Sequence, residues 1–155
     1  MNKYKTVNLG TYSIGALSRY SNYVLYNRMI PNVLDNKTPV QRRCLFAMFK
    51  DGVLSTAKPK KLNTMVGLCM SYHAHGDSGI YGSYVTMSQE WKQNKVYFDI
   101  DGNRGNVFGD SAAAGRYLEI RMSSYGEDTF THELSPDIVP FQQNYTDTGM
   151  EPLVL

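Results

Sequence analysis

The chain predicts an α+β fold built mainly from helices, and three observations carry that reading. Four stretches repeat apolar residues at helical spacing, and one short stretch alternates like a strand before a glycine turn. A length of 155 residues suffices for one buried core. Net charge is +2, so any nucleic-acid face must come from clustered charge rather than overall excess. The polar start "MNKYKTVNLG" carries no secretory signal, and no run approaches the roughly 18 apolar residues of a membrane span. An intracellular chain away from membranes is expected. Its two cysteines, Cys44 and Cys69, lie in apolar stretches without ligand spacing and read as small buried side chains.

The first helix is expected over residues 15–30, where Leu17, Tyr20, Tyr23, Val24 and Met29 follow helical spacing. Pro31 disfavours helix at Ile30 and stops it there. Asp35, Asn36 and Pro39 are start signals for a second helix, in which Val40, Cys44, Ala47 and Met48 form the apolar side and Asp51-Gly52 the end. "STAKPKK" reads as a basic loop. A third helix follows with Leu62, Met65, Val66 and Cys69 inward, then a turn and a fourth helix capped by Asp77 or Ser78. Along that fourth helix Ile80, Tyr84, Met87 and Trp91 share one face. "KVYFDIDGNRG" alternates as a strand, and the sequence beyond Arg121, including "SPDIVPFQQNYTDTGMEP", reads as irregular.

Three clusters carry candidate chemistry, each with two readings. Arg42 and Arg43 on the second helix, followed by Lys50, Lys58, Lys60 and Lys61, either face phosphates from a helix-turn-helix or form a solvated charged face. In "YHAHGDS", His73 and His75 precede a helix N-terminus, which is either an anion site or an ordinary cap with packed histidines. His132, the remaining histidine, lies far away in sequence, which makes a metal reading of the pair weak. In "GDSAAAGRYLE", Tyr117 is either a core tyrosine or a nucleophile beside Arg116, because a phenol of pKa about 10 needs a neighbouring cation to stabilise its anion.

Jointly and in this order, "NRMIPNVLDNKTPVQRRCLFAM", "YHAHGDSGIYGSYVTMSQ", "DIDGNRGNVFGDSAAAGRYLEIRMS" and "VPFQQNYTDTGMEPLVL" resemble the breakage-reunion subunit of type IIA DNA topoisomerases, the gyrase A and topoisomerase IV A subunits. The resemblance implies a winged-helix, catabolite-activator-like DNA-binding domain with a helix-turn-helix over residues 21–125. Residues 1–20 would be an N-terminal arm running into the first helix, and residues 126–155 the truncated start of a tower-like region. Tyr117 would attack a phosphodiester of double-stranded DNA and form a transient 5′-phosphotyrosine bond during ATP-dependent strand passage. Arg116, Arg28 and His75 would assist catalysis. Arg42, Arg43, His73, Lys60, Lys61 and Ser78 would bind DNA or phosphate.

The resemblance also implies partners. Mg²⁺ would sit on a TOPRIM domain and ATP on the same B-subunit-like TOPRIM/ATPase chain, with no metal site in this chain. The assembly would be a homodimer or A2B2 complex, cytoplasmic and nucleoid-associated. Thr38 stands where the family has a lysine, Gly115 replaces a larger side chain, and Gly82 replaces the acid that helps anchor quinolones through Ser78. These departures suggest a divergent, phage or viral member with weak quinolone sensitivity. The tower, coiled-coil gate and wrapping domain of the family would lie beyond Leu155. A truncated segment or a minimal protein without strand passage is therefore expected, and a non-catalytic DNA-binding or decoy module is the alternative.

Overall fold

The computed structural model describes residues 6–132 and 134–155, so the first five residues of the expected N-terminal arm lie outside the described residues. The helices are α1 (Leu9–Val24), α2 (Pro39–Lys50), α3 (Leu62–Cys69), α4 (Asp77–Met87) and α5 (Ser124–Phe130). The strands are β1 (Lys60–Lys61), β2 (Phe98–Asp101), β3 (Glu119–Met122), β4 (Phe141–Gln143) and β5 (Met150–Pro152). This is the expected α+β, mainly helical architecture. No helix among the described residues is long and apolar enough to cross a membrane.

α1 starts earlier than the apolar spacing suggests because Asn8 caps it, its side chain accepting from the Thr11 N–H at 3.2 Å. It runs into a π-helical turn, Leu25–Met29, and Ile30 is extended, as a residue before proline must be. None of its residues is buried, so Leu17, Tyr20 and Tyr23 are helical but exposed. α2 opens with Pro39 at its first position, while Gln41 reaches back to accept from the Thr38 N–H at 3.0 Å. Asp35 and Asn36 shape the preceding turn instead of capping. Asp35 accepts from the Lys37 N–H, and Asn36 takes a positive φ of 52°.

The core forms where the apolar faces of α2, α3 and α4 meet one face of a three-stranded sheet. Cys44, Ala47 and Met48 come from α2, and Leu62, Met65, Val66 and Cys69 from α3. Ile80, Tyr84 and Met87 come from α4. The antiparallel sheet has the order β1-β3-β2, with Phe98 opposite Met122 and Ile100 opposite Ile120. These four side chains all turn inward, as the period of two requires. Each such fully buried large apolar side chain contributes about 1.5–3 kcal/mol relative to an exposed one. The buried thiols of Cys44 and Cys69 lie 3.9 Å apart and are free.

Two expectations are corrected. α4 is preceded by Gly76 at the cap position, with Asp77 already in the first turn, and it ends at Met87. Ser88 then bonds the Val85 carbonyl with its hydroxyl at 2.7 Å, which turns the chain and leaves Trp91 off the helix and half-exposed. The region read as irregular contains α5 and the β4–β5 hairpin, and the strand β3, which the sequence did not announce, ends at its start. β3 is four residues long, too short for its alternation to stand out. Its outward Glu119 and Arg121 pair with Lys61 and Asp99. The hairpin packs back onto the helices: Phe141 stacks edgewise on Phe46 at 6.1 Å, and the Tyr145 hydroxyl donates to the Met70 carbonyl at 2.7 Å.

Candidate functional site

Tyr117 sits at the end of the long connection between β2 and β3. Polar side chains brace that connection from within. The Asn103 side chain accepts from the Gly105 N–H at 2.9 Å, and Asn106 accepts from the Phe108 and Asp110 N–H groups at 2.9 and 3.1 Å. Gly105 has φ +84°, and a Cβ there would stand 2.7 Å from the Asp110 carbonyl oxygen, so glycine is required. From α4, the Tyr81 hydroxyl donates to the Ala113 carbonyl at 2.6 Å. A turn closed by the Tyr117 N–H and the Ala114 carbonyl then precedes Leu118, which is fully buried and anchors the segment.

Between that turn and that anchor, the Tyr117 side chain is 64% exposed, so the core-tyrosine reading does not hold. The Arg116 guanidinium carbon lies 4.6 Å from the centre of its ring, a cation–π stack that keeps a positive charge on the phenol's face. A Cβ on Gly115 would collide with the Asn63 amide. The missing side chain therefore lets the start of α3 close up under the tyrosine turn.

A second group of side chains runs from the exposed Arg28 to the buried His73. Arg28 comes from the π-helical turn, Arg43 from α2, and His73 and His75 from the connection between α3 and α4. The Arg28 guanidinium lies 3.2 Å from His75 Nδ1, and that of Arg43 lies 3.0 Å from His73 Nδ1. The two imidazoles meet edge to face at 4.6 Å. Arginine only donates, so each Nδ1 acts as acceptor, and the ring hydrogen of each neutral imidazole sits on Nε2. Burial, and then the charge of Arg43, push the His73 pKa down to about 4. Burial and the charge of Arg28 lower that of His75 as well. Both rings are thereby held neutral, as hydrogen-bond donors through Nε2.

Arg43 is itself gripped from behind. Its Nε and Nη2 donate to the two carboxylate oxygens of Glu151 at 2.9 and 2.7 Å, and Gln142 Nε2 donates to the same carboxylate at 3.1 Å. Glu151 is only 3% exposed. The cluster borders an open cleft of ≈ 690 Å³, lined by Arg43, His75, Tyr23, Tyr26, Tyr72 and Tyr145 among others. Tyr117 is not part of that lining, and among the described residues no hydrogen bond joins its phenol to the arginine–histidine cluster.

The remaining candidates divide. Ser78 is exposed in the first turn of α4. Lys60 and Lys61 form β1 and pair with Asp51 and Glu119, each at a solvent-accessible position. Arg42 corrects the expectation placed on it. Its side chain is buried, its Nε and Nη2 donate to Asp35 at 2.6 and 3.2 Å, and Nη2 also reaches the Lys37 carbonyl. These contacts fit a structural brace rather than a phosphate contact. Glu151 and Gln142 are contributions that sequence reasoning missed. A lone carboxylate in a polar stretch gives no signal of what it faces. Among the described residues, no group of three or more histidines, cysteines and acids could hold a metal ion.

A family model for the A subunit of DNA gyrase/topoisomerase IV matches residues 28–155. The chain is 42% identical over 141 residues to the DNA topoisomerase 4 A subunit of Mycoplasma pneumoniae, covering 90% of this chain and 18% of that protein. It is 41% identical over 138 residues to the same subunit from Streptococcus pyogenes, and 40% identical over 138 residues to that of Bacillus subtilis. Each of these two alignments covers 88% of this chain and 17% of the relative. The chain thus spans less than a fifth of the length of these relatives.

Proposed function

The chain belongs to the DNA gyrase/topoisomerase IV A-subunit family, and on that premise we propose that it supplies the cleavage–religation face of a type IIA topoisomerase. Tyr117 is the nucleophile. Its phenolic oxygen loses its proton to solvent and bonds to a phosphorus of double-stranded DNA as the P–O3′ bond breaks. The 3′ oxygen leaves and takes up a proton, and a 5′-phosphotyrosine bond remains. Religation is the same displacement in reverse. The family reading then has a second duplex passed through the break at the expense of ATP, which the partner chain would bind.

The observation that carries this reading is the exposure of Tyr117 on a self-braced loop with Arg116 over its ring. Arg116 offers charge beside the developing phenolate. Arg28 and Arg43 supply fixed positive charge, and the Nε2–H groups of His73 and His75 supply neutral donors for phosphate oxygens. Ser78, Lys60 and Lys61 are assigned to further DNA contacts. Among the described residues no hydrogen bond joins the tyrosine to the cluster. We therefore assign their meeting to the assembly expected for this family, a homodimer or A2B2 complex on cytoplasmic, nucleoid DNA.

The described residues offer no carboxylate cluster for Mg²⁺, so they do not fit that ion. The TOPRIM domain of the partner is the expected holder.

The test uses the complete A subunit carrying this segment, its partner chain, Mg²⁺ and duplex DNA, with covalent adducts trapped by detergent. The parent protein is expected to form an adduct and Tyr117→Phe none. Equal trapping by the Phe variant would overturn the nucleophile. DNA binding without any adduct from the parent would favour a non-catalytic module.

A further inference from the structure

We propose that Glu151 is a positioning residue for the cleavage reaction: from β5 it fixes the plane of the Arg43 guanidinium, and through Arg43 it fixes the tautomer of His73. The proposal rests on the function proposed above.

The geometry is directional. A guanidinium is a flat fork of five donors, and a carboxylate that takes Nε and Nη2 together sets its plane. Glu151 does this at 2.9 and 2.7 Å, which leaves Nη1 aimed at His73 Nδ1 at 3.0 Å. If the fork turned, His73 would lose the donor that keeps its proton on Nε2. Gln142, directly opposite Glu151 in the hairpin, donates to the same carboxylate and limits its own rotation.

The hairpin that carries the acid is also held. Asn144 Nδ2 donates to the Ser71 carbonyl at 3.2 Å, Tyr145 bonds the Met70 carbonyl, and the Leu153 N–H closes on the Pro140 carbonyl at 2.9 Å. Ser71 and Met70 lie just before His73, so one attachment fixes the spacing between acid and imidazole. A buried ion pair is a weak source of stability, since desolvation offsets most of the attraction. A function in orienting Arg43 gives this one a reason to persist.

Glu151 also subtracts charge. Its removal would leave Arg43 more positive toward DNA while loosening its aim, so binding and cleavage should part company. In the complete A subunit with its partner chain, Mg²⁺ and a duplex, Glu151→Gln is expected to slow single-turnover cleavage about tenfold. Duplex affinity should be unchanged or tighter. The side-chain nitrogen shifts of His73 should move from one neutral tautomer toward a mixture. Glu151→Asp should recover part of the cleavage rate.

Wild-type cleavage by Glu151→Gln would overturn the proposal. So would a loss of cleavage that is matched by lost DNA binding and a lowered melting temperature, which would show a structural acid. If the parent protein forms no Tyr117 adduct at all, the cleavage reading fails. The His73 shifts then decide by themselves whether Glu151 sets the tautomer.

Discussion

The tyrosine loop and the arginine–histidine cluster solve opposite problems. Tyr117 is mostly exposed and touches a single cation across its ring face, on a loop braced through backbone turns and asparagine side chains. The cluster is interlocked, each guanidinium bonded to an imidazole and one of them also to a buried carboxylate. A nucleophile must reach an atom that arrives with the substrate, so it cannot be covered. Charges that stabilise a transition state work best when already oriented, because turning them during the reaction costs reorganisation. Exposure is placed where contact must form, and preset orientation where the field must be ready.

Deleting the nucleophile should give the largest effect. Tyr117→Phe is expected to remove the covalent adduct completely while changing stability by no more than about 0.5 kcal/mol, as for an exposed side chain. Adduct trapping alongside chemical denaturation checks both halves. Next, Arg43→Lys, which leaves a charge to pair with the buried Glu151, should lower cleavage by about 10²-fold with the fold retained, the scale of losing one preorganised donor. Its sequence neighbour should behave in the opposite sense. Asp35→Ala leaves Arg42 buried without its partner and should cost about 3–5 kcal/mol of stability, read from denaturation midpoints. Equal catalytic and stability profiles at positions 35 and 43 would erase the distinction drawn between the two arginines.

A smaller effect comes from pH. Folded His73 resists protonation until about pH 4, whereas the unfolded chain takes up that proton near the usual histidine value of about 6.5. The unfolded state therefore binds more protons in between, and stability is expected to fall as pH drops from about 6.5 to 4. Denaturation at pH 7 and pH 5 should show this, with the difference reduced in His73→Gln. The smallest structural effect is expected for Gly82→Asp, since a Cβ there meets nothing within 4 Å. Stability should be unchanged, while quinolone-stabilised cleavage should rise if the missing acid is what weakens drug anchoring beside Ser78.

The long, periodic elements were legible in the sequence. The inward positions of α2, α3 and most of α4 follow from spacing alone, because a helix buries whatever recurs every three to four residues. The short elements were not. β3 has only four residues to alternate, and the hairpin strands have three each, so their identity comes from the partner across the sheet. α1 shows the reverse case. Its apolar residues make a helix, yet nothing among the described residues buries them.

The sequence by itself determined which chemistry was present: a tyrosine after an arginine in a glycine-bounded loop, two histidines at a helix start, and a pair of adjacent arginines. Only the tertiary structure decided what each does. Arg42 and Arg43 are consecutive, but successive residues on a helix point about 100° apart. One is buried against Asp35, while the other is met by a carboxylate from 108 residues further along the chain. No local pattern encodes that meeting, because it is set by where a hairpin docks and not by what surrounds either residue in sequence.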